Sequence, residues 1–237
     1  MMIVCRTCAG FLCASLLLGV AFLTALTPTA HAADAANTSV APLVASVPQF
    51  IERAATAKTL AQLRQGGYVL YLRHGPTDNS KPDRLPAVDL SDCSTQRPLT
   101  DEGRAQAALV GRAIRAARIP IKSIHISPLC RVKDTAAAAF PGRKVQVDMS
   151  LMYTGNLTEA QKAPIVANTR RLLSEPVALG SNRLVIAHAP NVMDVMGYFP
   201  KETTLVLFRP RGQAGFDYVA SIPPESWAEL LPPGAIK

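Results

Sequence analysis

Short apolar runs, separated by longer stretches of helical spacing, make up most of the chain. Four runs are rich in β-forming residues and almost continuously apolar, which is typical of strands buried on both faces of a sheet. They are YVLYL (68–72), SIHIS (123–127), VQV (145–147) and RLVIA (183–187).

Apolar residues recur at helical spacing before and between these runs. The pattern predicts four helices: 48–65, Thr100–Ala117, Leu129–Phe140 and Glu159–Ser174. Gly66 and Gly67 would end the first helix, and Thr100 would cap the second. Strands that alternate with helices predict an α/β fold of three layers, α/β/α, in which helices cover both faces of a mostly parallel sheet.

The end of the chain has a different pattern. TTLVLFRP (203–210), the turn RGQAG and FDYVASI (216–222) predict an antiparallel hairpin at one edge of the sheet. Residues 33–47 are small and weakly patterned and are expected to form a flexible lead-in. We therefore expect one α/β domain over residues 48–237.

Residues 1–32 carry a pattern typical of export. Arg6 is their only charged residue, an apolar stretch runs from Phe11 to Leu26, and Ala30-His31-Ala32 offers small residues to a signal peptidase. We expect a signal peptide over 1–32 and a periplasmic or secreted protein. The alternative is an uncleaved membrane anchor, for which the apolar run is short.

The balance of charge suits an anionic partner. The chain has 25 Lys and Arg against 17 Asp and Glu, a net charge of +8, and loss of Arg6 with residues 1–32 would leave +7. The basic residues are scattered and only 5% of residues are aromatic, which does not indicate a nucleic-acid-binding protein. A small phosphorylated substrate or an anionic envelope surface is the expected partner.

Cleavage after Ala32 would leave two cysteines, Cys93 and Cys130. In an oxidising compartment we expect them to form a disulfide, although two unpaired thiols are the alternative. The sequence shows no cluster of His, Cys and carboxylates, so no metal is expected. No G-x-G-x-x-G follows the first strand, so no dinucleotide cofactor is expected either.

Basic side chains follow three of the predicted strands. Arg73 and His74 follow the first, Ser127 ends the second with Arg131 one helical turn further on, and His188 follows the RLVIA strand. Ligands of such sheets bind outside the carboxyl ends of the strands. We therefore expect these side chains to meet at one edge of the sheet.

These residue types together suit a phosphoryl group. Guanidiniums offer two-pronged, permanently charged donors to phosphate oxygens, and imidazole is a competent phosphoryl acceptor. A second His, if protonated, would share the stabilisation of charge. An Arg alone at a strand end is usually a solvated cap, and a His alone there is usually structural. Because such residues follow three strands that end at the same edge of the sheet, a phosphate site is favoured. His125 lies inside its strand and is expected to be structural.

Arg-His-Gly-Pro-Thr (73–77), Ser-Pro-Leu-Cys-Arg-Val-Lys-Asp-Thr-Ala (127–136) and the strand-end His188 resemble the histidine phosphatase superfamily, which includes the cofactor-dependent phosphoglycerate mutases. The resemblance spans roughly Tyr68 to Trp227. It implies that His74 is the nucleophile and becomes a phosphohistidine. It also implies a phosphate pocket; its members would be Arg73, Arg131, His188, Thr77 and, one residue out of step with the family contact, Asn79.

The proton donor departs from the family pattern. Mutase-like members usually carry a Glu two residues after a Leu, but here Leu151-Met152 is followed by Tyr153. The other branch places an Asp directly after the second His, where this chain has Ala189. Glu159 is the nearest carboxylate downstream and is the candidate acid. The alternative is that Glu159 only caps a helix.

These observations favour an exported, metal-independent phosphomonoesterase, a phosphatase of the histidine acid type. The resemblance extends to bacterial envelope enzymes that remove phosphate from lipopolysaccharide core sugars and have a similar His-Ala-Pro-Asn stretch, which suggests an envelope sugar phosphate as substrate. The alternatives are a non-catalytic anion-binding protein of the same fold and a phosphomutase, which would have little to do outside the cytoplasm.

Overall fold

A mixed sheet of six strands forms the centre of the computed structural model. The strands are β1 (Val69–Arg73), β2 (Ile121–Ile126), β3 (Gln146–Val147), β4 (Asn182–Ala187), β5 (Leu205–Pro210) and β6 (Phe216–Ile222). Their order is β3-β2-β4-β1-β5-β6. The first four in that order pair in parallel, and β5 and β6 add antiparallel strands at one edge. The predicted mostly parallel sheet and its edge hairpin are confirmed.

The structure describes residues 49–84 and 89–236. The predicted signal peptide and lead-in lie outside these residues and stay predictions. Among the helices of the described segments, none is long and apolar enough to cross a membrane.

Helices cover the sheet on both faces. They are α1 (Ala57–Gln65), α2 (Asp101–Ala116), α3 (Cys130–Ala139), α4 (Glu159–Ser174), α5 (Ala189–Met196) and α6 (Trp227–Leu230). Leu70 and Leu72 of β1 pack in the core beneath α1, α2, α3 and α6, whereas Val69 and Tyr71 pack in the core beneath α4 and α5. Because neighbouring strand residues point to opposite faces, a strand buried on both faces reads as a continuous apolar run.

The predicted first helix is wrong over its first half, because α1 begins only at Ala57. Residues before it pair with β6 instead: the N–H of Ala55 donates to the Ser221 carbonyl at 3.2 Å, and the N–H of Ser221 donates to the Arg53 carbonyl at 2.8 Å. These bonds use backbone groups that a helix would need for itself. The Thr56 side chain then accepts from the N–H of Thr59 and caps the helix.

A disulfide joins Cys93 to Cys130, as the sequence predicts, with the two Cα atoms 5.7 Å apart. Cys130 opens α3, and its N–H donates to Gln96 Oε1 at 2.7 Å. The long segment between β1 and α2 is therefore tied at two neighbouring points to the helix that carries Arg131.

Removing this bridge with Cys93→Ser and Cys130→Ser is expected to lower the free energy of unfolding. The bridge closes a loop of 37 positions. Chain entropy assigns such a loop about 4 kcal/mol, most of it through a less restricted unfolded state. Urea unfolding monitored by circular dichroism measures the change. A reducing agent should weaken the wild-type protein and leave the double variant unchanged; equal stability of both proteins would contradict the expectation.

Candidate active site

Three neighbouring strands of the sheet end at one place. The N–H of His74, just after β1, donates to the Ala187 carbonyl at the end of β4 at 3.1 Å, and the N–H of Ser127 donates to the Ile186 carbonyl at 3.0 Å. The ring centroids of His74 and His188 lie 5.2 Å apart. The structure thus brings together the strand-end residues that the sequence places at a common edge.

His74 is held in the form that a nucleophile requires. Only 2% of the residue is exposed, and Nδ1 lies 2.8 Å from the Gly75 carbonyl. A carbonyl only accepts hydrogen bonds, so Nδ1 carries the proton and Nε2 keeps its lone pair. Burial lowers the pKa of His74 to about 3, and the charges of Arg131 and Arg73 act in the same direction against the Gly75 hydrogen bond. The imidazole is therefore neutral at physiological pH.

His188 is fully buried beside His74. Its Nε2 lies 2.8 Å from Ser127 Oγ, while the Tyr71 hydroxyl donates to the His188 carbonyl and accepts from its N–H. Burial lowers the pKa of His188 well below its usual range, with His74 and Arg131 adding to the effect. The protonated second His suggested by the sequence therefore requires a nearby negative charge, such as a phosphoryl dianion, to stabilise it.

Arg131 contributes a fully buried guanidinium. Its Nη1 donates to the carboxylate of Asp83, 3.0 Å from Oδ1 and 3.2 Å from Oδ2, whereas Nε and Nη2 have no hydrogen-bond partner within the described segments. Burial lowers the pKa of Arg131, and Asp83 opposes that shift. Buried N–H groups without partners are costly, so this guanidinium is arranged to receive an acceptor.

Arg73 is anchored along its outer edge. Nη1 donates to the Pro200 carbonyl at 2.7 Å and Nη2 to Glu202 Oε1 at 3.2 Å. Its Nε is buried and has no partner among the residues described. The two anchors fix the guanidinium plane and leave Nε available.

The glycine after His74 is required by close packing against α2. A Cβ added to Gly75 would lie 2.6 Å from the Gly103 carbonyl oxygen, and one added to Gly103 would lie 2.3 Å from the Pro76 carbonyl oxygen. Real Cβ atoms do not approach backbone this closely. The Gly that follows Arg-His thus allows the turn to pass directly over the second helix.

Three site residues were not identified from the sequence. Asp83 forms an ion pair with Arg131, and Glu202 forms one with Arg73. The third residue is Arg97, a further guanidinium beside the cluster. Its charge lowers the pKa of His74, of Arg73 and of Arg131. Asp83 and Arg97 lie in the irregular segment between β1 and α2, which has no periodic pattern to follow.

The remaining predicted residues differ in their placement. Thr77 is buried and pairs with Leu99, and the exposed Asn79 accepts a hydrogen bond from Arg97 Nη1 at 2.8 Å. Tyr153 lies with its ring centroid 5.5 Å from that of His188. The structure does not bring Glu159 to the cluster: its side chain is 92% exposed and pairs with Lys162 in the same helix.

A family model described as histidine phosphatase superfamily (branch 1) matches residues 69–160. That range includes β1, the turn after it, and α3 with Arg131. A search of curated proteins gave no match.

Solved structures with a similar fold include the protein histidine phosphatase SixA complexed with tungstate, at 19% identity and a TM-score of 0.46 over 67% of this chain and 98% of that one. Phosphoserine phosphatase from Entamoeba histolytica with 3-phosphoglyceric acid is 14% identical, with a TM-score of 0.47 over 66% and 96% of the two chains. A mycobacterial glucosyl-3-phosphoglycerate phosphatase with VO3 is 20% identical, with a TM-score of 0.45 over 65% and 98%.

Proposed function

We propose that this chain, which belongs to the histidine phosphatase superfamily, is a metal-independent phosphomonoesterase that acts through a phosphohistidine. One observation carries the proposal. A buried, neutral His74 with its lone pair on Nε2 shares a cluster with buried side-chain nitrogens that have no partner in the described part of the chain. These atoms are Arg73 Nε, Arg97 Nε, Arg131 Nε and Nη2, and His188 Nδ1.

The side chains of the cluster perform the reaction by positioning and by electrostatics. His74 Nε2 attacks phosphorus in line with the leaving oxygen. Arg73, Arg131 and His188 hold the equatorial oxygens, where negative charge is distributed in the transition state. Because the cluster is buried, these charges act more strongly than they would in water, and they are already in place when the reaction starts.

The substrate is proposed to be a small phosphorylated molecule or an envelope sugar phosphate, met outside the cytoplasm. The signal-peptide pattern of residues 1–32 supports export. The Cys93–Cys130 disulfide supports it too, because such bonds persist mainly in oxidising compartments.

A phosphate-binding protein without activity is the second candidate. Tyr153 occupies the position at which mutase-like members of the family carry their acidic Glu. Binding needs the basic cluster alone, whereas turnover of most phosphomonoesters also needs a proton for the leaving oxygen.

We expect the purified protein to hydrolyse p-nitrophenyl phosphate, to be inhibited by vanadate, and to keep its activity in EDTA. The protein's own cations supply the charge that a metal would otherwise provide, and an oxyanion should occupy them directly. Steady-state kinetics with and without each additive test this expectation.

Glycerol phosphate separates the two candidate functions, because its alkoxide leaving group needs a proton from an acid of the enzyme. Turnover of neither compound, together with vanadate binding, would favour the binding protein. Activity that disappears in EDTA and returns with a divalent metal would contradict the proposed mechanism.

A further inference from the structure

Asp83 lies at the rim of the basic cluster. Besides pairing with Arg131, it accepts a hydrogen bond from the N–H of Arg97 at 2.8 Å through Oδ1. Its side chain is 12% exposed. Two contacts from different elements thus hold one carboxylate against the guanidinium that is expected to bind the phosphoryl group.

A cavity of about 180 Å³ adjoins the cluster at this point. Its lining consists of Asn79, Pro82, Asp83, Arg97, Tyr153 and Asn156. The ring centroid of Tyr153 lies 5.4 Å from Arg131 Cζ, so the cavity opens beside the phosphate-binding atoms. A leaving group attached to a phosphoryl group on the cluster has its place here. The polar lining and small volume suit a small hydroxylated leaving group.

Asp83 is the only carboxylate among the described residues that line this cavity. Glu202 also touches the cluster, but it contacts Arg73 and does not line the cavity. Glu159 lines a different surface depression with Lys162 and Asp194. Tyr153 does line the cavity, but a phenol is a much weaker acid than a carboxylic acid.

We propose that Asp83 donates the proton to the leaving oxygen; the inference rests on the proposed phosphomonoesterase activity. In the structure Asp83 pairs with Nη1 of Arg131, beside the Nε and Nη2 that have no partner among the described residues and would receive the phosphoryl group. A phosphoryl group bound there brings negative charge next to the carboxyl group, and a negatively charged neighbour favours the protonated form of any carboxyl group. The side chain that pairs with the buried guanidinium is thus placed to act as the acid beside the bound substrate.

The proposed reaction has two steps, transfer of the phosphoryl group to His74 and hydrolysis of the phosphohistidine. The Nε2 lone pair of His74 forms the bond to phosphorus as the bond to the leaving oxygen breaks, and that oxygen takes the proton of Asp83 to give the free alcohol. The Asp83 carboxylate then accepts a proton from water while the water oxygen attacks phosphorus. The bond between phosphorus and Nε2 breaks, the electron pair returns to His74, and inorganic phosphate leaves.

The test compares substrates whose leaving groups differ in their need for a proton. Wild type, Asp83→Asn, Tyr153→Phe and Glu202→Gln would be assayed with p-nitrophenyl phosphate, phenyl phosphate and glycerol phosphate. We expect Asp83→Asn to lose about 10²- to 10⁴-fold in kcat/KM on glycerol phosphate and much less on p-nitrophenyl phosphate. In the other two variants, kcat/KM should fall by similar factors on all three substrates. Vanadate inhibition of each variant verifies that its anion pocket is intact.

An equal loss on all three substrates in Asp83→Asn would overturn the inference, and a selective loss in Tyr153→Phe would transfer the role to the phenol. If Asp83→Asn does not fold, Asp83→Glu provides the test, because it keeps a carboxyl group at this position. Asp83→Glu should keep activity on glycerol phosphate. An Asp83→Glu enzyme that hydrolyses p-nitrophenyl phosphate but not glycerol phosphate would also overturn the inference. A wild-type protein inactive on all three substrates would instead refute the phosphomonoesterase activity itself, and the inference with it.

Discussion

Replacing His74 with Ala is expected to abolish turnover of p-nitrophenyl phosphate, with a loss of at least about 10⁴-fold, because covalent catalysis fails without its nucleophile. The expectation rests on the buried, neutral imidazole whose Nδ1 donates to Gly75 and whose Nε2 lone pair is available for attack. Steady-state rates on folded protein measure the loss. Wild-type enzyme quenched and digested in alkali, where the phosphorus–nitrogen bond survives, should also carry a phosphoryl group on His74, detectable by peptide mass.

His125→Ala is the matched control for this experiment. His125 is half-buried within β2, where it pairs with Val185 and Gln146 rather than with the cluster. Its loss should leave the rate nearly unchanged. A His74→Ala enzyme with near-normal rates, or a phosphoryl group trapped on another side chain, would rule out the proposed mechanism.

Arg131→Met is expected to lower kcat/KM by about 10²- to 10³-fold, the usual cost of losing one stabiliser of transition-state charge. We expect the free energy of unfolding to change much less than the activity. Removing the fully buried guanidinium relieves the desolvation of a charge with two nitrogens that have no partner in the described structure, and this offsets the loss of its ion pair with Asp83. Kinetics and urea unfolding of the same preparation measure both effects.

Arg183→Met should show the opposite combination. Arg183 is half-buried in β4 and donates to the carbonyls of Leu172 and Glu175, so its loss removes hydrogen bonds of the fold without touching the cluster. Its activity should stay near wild type while its stability falls. A less stable Arg131→Met variant with full activity would show that Arg131 serves the fold rather than an anion.

Strands β1 and β4 could be predicted almost to the residue because they are buried on both faces, whereas β3, which was expected to be buried in the same way, is exposed. Burial on both faces alone makes a sequence read as an apolar run, so Leu70 and Val69 give one signal although they pack in different cores. Helix α5 was not predicted because it is only eight residues long and begins directly after His188, with no side-chain cap to mark its start. The first helix was predicted too long because the pairing of Ala55 with Ser221 is a tertiary effect.

The residues of the candidate site also fall into those that the sequence predicts and those that it does not. Arg73, His74 and His188 could be predicted because regular strands deliver them, and the end of a strand is visible in sequence. Asp83 and Arg97 could not, because an irregular segment carries them and their position depends on contacts made after folding. The carboxylate sought near Glu159 is supplied, in the proposed mechanism, from the other side of the cluster.

Strand pairing also determines how far apart the two histidines can be. Arg73 of β1 pairs with Ala187 of β4, so His74 and His188 stand one step beyond the same rung of the ladder. Neighbouring strands of any sheet are about 4.8 Å apart, close to the 5.2 Å between the two rings. The reactive pair is therefore spaced by backbone hydrogen bonds, while the loops around it are free to change. A descendant of this chain could acquire a new substrate through substitutions in those loops without readjusting the atoms that react.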